Sequence, residues 1–215
     1  MSAASPVALC NRALLEVGGN TIVSFLDETT ESRICALIYE PIRDAVTQAY
    51  NWAHARARAG PLALLATSPI FGWTFQYKLP VELLTLQWAG TSGGRNWRYE
   101  PQIEYEVEGR NLLCNVGEGV YIRYLKRVTD TAEFSSLFTE ALVARLSAEL
   151  AVPLSESRSL AQQHFQLFQA KIDEAAAVDG QQGRNMPTSA VRHQYARWTG
   201  GGQYGALPGG FYNWG

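Results

Sequence analysis

Three glutamates, Glu104, Glu106 and Glu108, alternate with Ile103, Tyr105 and Val107. In a strand that alternation puts the carboxylates on one face, about 6.6 Å between successive ones. Two carboxylates about 5–9 Å apart across a cleft are what glycoside hydrolysis requires. The same spacing also suits plain electrostatics, because Arg123 and Arg127 share a face of a later strand and offer cross-strand partners. An exposed acidic strand lacks the contrasting surroundings that drive two carboxyl pKa values apart. The expectation is therefore a structural or electrostatic role, paired with arginine or facing solvent.

Gly90-Thr91-Ser92-Gly93-Gly94 reads literally as GxSxG. A nucleophile elbow needs a strand before that motif, a helix after it, and acid and histidine partners downstream. Arg95-Asn96-Trp97-Arg98-Tyr99 follows instead, which opens no helix, so the motif reads as a loop. His54, His164 and His193 have no metal-ligand spacing among themselves or with cysteine. Neither GxxxxGK nor GxGxxG occurs, and no cofactor is expected. Cys10, Cys35 and Cys114 are odd in number and far apart, which implies buried free thiols in a reducing compartment. Arg56 and Arg58 beside Trp52, together with Arg95, suggest a nucleic-acid face, but a half-solvated strand explains the first pair equally well.

The charge distribution is uneven. Of 215 residues, 1–179 carry 15 basic and 20 acidic side chains, whereas 180–215 carry three Arg and no Asp, Glu or Lys. That last stretch also holds nine glycines and the aromatics Tyr195, Trp198, Tyr204, Phe211, Tyr212 and Trp214. Glycine at this density builds neither a helix nor a core of its own. Large rings among glycines are favoured anchors in protein interfaces. An extended assembly arm over 180–215 is expected, anchored by Trp198, Tyr204, Phe211, Tyr212 and Trp214, with Arg192 and Arg197 in polar contacts on an acidic neighbour. Three positive charges are too few for a DNA-binding arm. The N-terminus has no basic n-region or long apolar run and does not read as a signal peptide. No segment has the length of a transmembrane span.

These residues need elements to hold them. Ser5-Pro6 is an N-cap followed by proline at the first helical position, and Gly18-Gly19 is a stop. Ile34, Leu37, Ile38, Ile42, Ala45, Val46 and Ala49 recur at helical spacing over 31–50, with Pro41 expected to kink or divide that helix. Strands are expected over 52–58, 73–79, 103–107, 112–115 and 119–128, with Glu108–Asn111 a turn and 81–88 open between strand and helix. Asp130-Thr131-Ala132-Glu133 resembles a capping box for a helix that Pro153 stops. Ser155 or Ser157 then caps a last helix from Leu160 to about Val178, ended by Gly180, with Phe165, Leu167, Phe168 and Ile172 inward. The order predicts an α+β protein. N-terminal helices (1–58) and C-terminal helices (129–179) form one helical bundle, a β-rich insertion (59–128) lies between them, and the arm (180–215) follows.

A series of segments in this order resembles the tail tubular protein A family of short-tailed phages, the head-to-tail adaptor or gatekeeper-ring proteins. They are Ala8–Gly18 (ALCNRALLEVG), Tyr39–Asp44 (YEPIRD), Tyr50–Ala53 (YNWA), Gly72–Pro80 (GWTFQYKLP), Val107–Gly109 (VEG), Tyr121–Tyr124 (YIRY) and Leu137–Leu146 (LFTEALVARL). The resemblance covers about residues 5–180. It implies a ring of twelve copies beneath the portal protein, joined to a tail tube or nozzle protein. Genomic DNA would pass through the hole without sequence-specific binding. It also implies a virion protein assembled in the host cytoplasm, with no catalytic constellation that can be placed on this chain. An acidic lumen would let DNA slide, which makes Glu104, Glu106 and Glu108 channel-facing candidates. A cell-wall glycan hydrolase and a nucleic-acid-binding adaptor are the alternatives.

Overall fold

The computed structural model describes residues 5–93 and 102–181. The arm candidates Arg192, Arg197, Trp198, Tyr204, Phe211, Tyr212 and Trp214 lie outside the described residues, as do His193 and Arg95. The chain divides into a compact unit, Met1–Ala177, and a second unit, Val178–Gly215. It is a mixed α+β protein with four helices and two three-stranded antiparallel sheets among the described residues.

Helix α1 (Pro6–Glu16) begins as expected, with the Ser5 hydroxyl accepting from the Ala8 amide. It ends at Gly18, whose φ of +78° is the left-handed conformation a C-terminal stop requires. Helix α2 (Thr30–Ala49) is one continuous helix rather than two. Pro41 sits on its exposed face, where water can satisfy the Leu37 carbonyl that loses its amide partner. The buried face is also rotated from the one expected. Cys35, Tyr39, Ile42, Arg43 and Val46 point inward while Leu37 is 76% exposed. Arg43 is buried because it bonds Asp44 at 2.9 Å, and Asp44 in turn holds Arg127 at 2.6 Å.

Helix α3 (Ser136–Ser155) is capped by Ser135, not Asp130; Asp130 caps only a short 3-10 turn over Thr131–Glu133. Pro153 does not stop it. The proline is exposed in the last turn, and the helix ends at Glu156, which adopts φ +52°. This helix is buried nearly all round, from Phe138 to Ala151, because α1 and α2 both pack on it. Helix α4 (Arg158–Gln181) is capped by Ser157, whose hydroxyl accepts from the Leu160 amide. It runs through Gly180. Phe168 and Ala175 are its buried apolar contacts, while Phe165 and Leu167 are about two-fifths exposed.

The strands form two sheets. The first has the order β1 (Arg56–Ala59), β6 (Tyr121–Lys126), β3 (Leu83–Gly90). The second has the order β2 (Phe75–Lys78), β5 (Asn111–Cys114), β4 (Tyr105–Glu108). Trp52–Ala55 is not strand: Ala53–Ala55 is a 3-10 turn that drives Trp52 into the helical core. The open stretch 81–88 proves to be strand. A separate apolar cluster fills the β region, with Tyr77, Leu112, Val120, Ile122 and Tyr124 buried.

Candidate functional site

The outward face of the first sheet carries a basic and aromatic row. Arg58 pairs in register with Arg123, and Arg123 with Trp88, so the three lie side by side across β1, β6 and β3. Tyr121 is two residues from Arg123 and shares that face, while Ile122 and Tyr124 turn inward to the β core. Like charges directly opposite on a sheet repel, so the row needs compensation. Together with Gly60, Ser92 and Gly93 these residues line a cleft of about 230 Å³.

The cleft is built on glycines. A Cβ on Gly60 would lie 2.3 Å from the Tyr121 ring, and one on Gly93 would lie 2.6 Å from it. On Gly90 a Cβ would meet the Trp88 ring at 2.2 Å. Gly60 also holds φ +151°. Both rings are thus seated directly on backbone, and side chains at these three positions would dislodge them. The volume falls below the ~300–1,000 Å³ of small-molecule pockets, which suits a docking side chain better than a cofactor.

Ser92, the serine of the GxSxG string, lines this cleft, but the described residues around it include no histidine and no carboxylate. His54 lies instead against Trp52, Phe134 and Phe138 at the helical core. Burial holds its imidazole below the usual range, and its Nε2 has no hydrogen-bond partner. His164 Nδ1 stands 3.5 Å from Glu16 Oε2, which accepts instead from the Ser147 hydroxyl at 2.7 Å. Cys10, Cys35 and Cys114 are buried and unbridged. The first two meet between α1 and α2, and the hydrogen bond with Cys35, followed by burial, pushes the Cys10 thiol up. Among the described residues no three His, Cys, Asp or Glu gather to hold a metal, and no helix is long and apolar enough to cross a membrane.

Glu104, Glu106 and Glu108 are exposed, on and just before the edge strand β4. The expected cross-strand pairing with Arg123 and Arg127 does not form. Strand β4 pairs with β5, β6 belongs to the other sheet, and Arg127 is taken by Asp44. Glu106 accepts from the Trp73 indole at 2.9 Å. Arg56 and Arg58 do lie on the exposed side of β1, and Arg56 bonds the Asn51 carbonyl at 2.8 Å.

Sequence reasoning missed the cleft and one other feature. The loop between β1 and β2 ends in a bare apolar tip, with Ile70 99% and Phe71 87% exposed. The readable signals were Gly60, Gly90 and Gly93 beside aromatics, and a run without any charge from Ala59 to Tyr77.

No protein-family model matches the chain, and no curated protein matches it in sequence.

Proposed function

We propose that this chain is a structural virion subunit, a head-to-tail adaptor that forms a ring between portal and tail. The observation that carries the reading is the ordered series of resembling segments. They coincide with the load-carrying parts of the compact unit: ALCNRALLEVG with α1, YEPIRD with α2, GWTFQYKLP with β2, YIRY with β6 and LFTEALVARL with α3. In this reading the helices from both ends form one bundle, the sheets are an insertion, and residues 180–215 are an extended arm. Glu104, Glu106 and Glu108 form an acidic surface over which DNA slides without binding. The partners are copies of the chain, the portal protein and a tail tube or nozzle protein.

A density map of the intact particle tests this. The expected result is a ring of this chain at the head–tail junction. Its absence from particles would overturn the proposal. So would peptidoglycan hydrolysis by the pure protein that Glu104→Gln or Glu106→Gln abolishes.

A further inference from the structure

Cys10 on α1 and Cys35 on α2 are wholly buried in the helical core, and neither is bridged. Each is the other's partner: the Cys10 thiol donates to the Cys35 sulfur. The connection between the two helices holds that meeting in place. The Asn11 side chain, next to Cys10, donates to the Ile22 carbonyl and accepts from the Ile22 amide, both at 2.8 Å. Just before Cys35, the Ser32 hydroxyl donates to the Ser24 carbonyl at 2.8 Å. Between these anchors the Asp27 carboxylate accepts from the Val23 and Ser24 amides. The loop is thus tied to α1 beside one sulfur and to α2 beside the other. Cys114 is a built-in comparison. It is equally buried, but it lies in the β cluster with its thiol directed to the Val116 carbonyl at 3.6 Å.

Paired thiols do chemistry that a single buried thiol does not. The thiolate is the nucleophile toward a peroxide, and a hydrogen bond donated to the sulfur favours that form. The bond from Cys10 holds the Cys35 thiol below its usual range, while Cys10 is held above it. Cys35 is thus the attacking sulfur and Cys10 the resolving one. Attack by the Cys35 thiolate breaks the O–O bond of hydrogen peroxide and forms a sulfenic acid; the departing hydroxide takes up the proton lost from Cys35. Cys10 then attacks the sulfenic sulfur, and its own proton leaves with the second hydroxide. Two thiols and one peroxide become one disulfide and two waters, the sulfurs losing two electrons to the oxygens. Access comes with local opening, which needs less free energy than global unfolding. Helix α1 has only 11 residues, and Arg12, Leu15 and Glu16 on it face water.

We propose that Cys10 and Cys35 form a redox lock, in which a hydroperoxide converts the meeting of α1 and α2 into a covalent joint. The lock stands independently of the adaptor reading. Hydrogen peroxide added to the folded protein should join tryptic peptides 1–12 and 34–43 and leave Cys114 a free thiol. The thermal midpoint should rise by about 5–10 °C, and dithiothreitol should reverse both changes. Cys10→Ala, which cannot resolve, should keep Cys35 as a sulfenic acid that dimedone captures, with no rise in midpoint. Three results would overturn the lock: linkage only after unfolding in urea, oxidation of native Cys35 to the sulfinic acid without linkage, or linkage that lowers the midpoint. All three are read on the unaltered chain, so none depends on the variant folding.

Discussion

Gly60 and Gly18 show why one residue type carries different costs at different places. Gly18 has φ +78° with nothing within 4 Å of an added Cβ. Gly18→Ala should therefore cost about 1–2 kcal/mol, the left-handed penalty alone. Gly60→Ala meets the same kind of penalty, and its Cβ would also stand 2.9 Å from the Tyr121 backbone, which cannot swing aside. Its cost should exceed that of Gly18→Ala by about 1–3 kcal/mol, the usual price of overpacking. Urea unfolding of the two variants checks the order; equal costs would show that Tyr121 is not fixed on Gly60. His54 behaves differently. Burial lowers its pKa below the unfolded value of about 6.5, and its Nε2 has no acceptor to welcome a proton. The unfolded chain therefore binds the proton first. The contribution of neutral His54 is complete above about pH 6.5 and is lost as pH falls through the folded pKa. His54→Phe should keep the ring contacts with Phe138 and flatten part of the stability loss between pH 7 and 5. An identical urea-midpoint profile for the variant would refute the buried-neutral assignment.

At the scale of elements, α2 separates pattern from packing. Leu37 and Ile42 both belong to the apolar repeat, yet Leu37 is 76% exposed and Ile42 is 7% exposed. Leu37→Ala should change stability by less than about 0.5 kcal/mol. Ile42→Ala should cost about 2–5 kcal/mol. Thermal unfolding that ranks them the other way would put the buried face where the sequence pattern alone suggests. The pattern erred because it counted apolar residues and passed over Cys35, Tyr39 and Arg43. Cys35 and Arg43 are inward because neighbours satisfy them, a thiol beside Cys10 and a guanidinium on Asp44, whereas Tyr39 is held by ring packing on Phe25 with its buried hydroxyl unpartnered. Two helix starts were legible from a serine hydroxyl that meets a free amide, at Ser5 and Ser157, but the Ser135 cap of α3 was passed over for Asp130. Prolines misled because their effect depends on exposure: Pro41 and Pro153 both face water, and the helices pass through them. Most strand positions were legible from alternation, Trp52–Ala55 being the exception, but strand partners were not. Arg123 and the glutamates share a plausible register on paper, yet β4 and β6 belong to different sheets. The cleft was invisible for the same reason, since Arg58, Trp88 and Arg123 meet only once β1, β6 and β3 are placed in order.

At the scale of the whole molecule, the described cores and the glycine-rich tail have different compositions. The helical cluster draws on residues from Leu9 to Ala175, and the β cluster on residues from Tyr77 to Tyr124. Among the described residues neither cluster draws on anything beyond Ala175, and α4 ends at Gln181. The stretch beyond contributes three positive charges and six aromatic rings among nine glycines. If those rings serve a neighbour, their burial is worth roughly 1.5–3 kcal/mol each and appears only in the assembled particle. A chain truncated after Gln181 should then unfold at the same temperature as the full chain, with the same urea dependence, because no surface of the compact unit changes exposure. Attachment to portal or tail should fall, most simply read as loss of the truncated chain from purified particles. A truncated chain that unfolds, or that attaches as well as the full chain, would place the tail's aromatics on their own body and end the arm model.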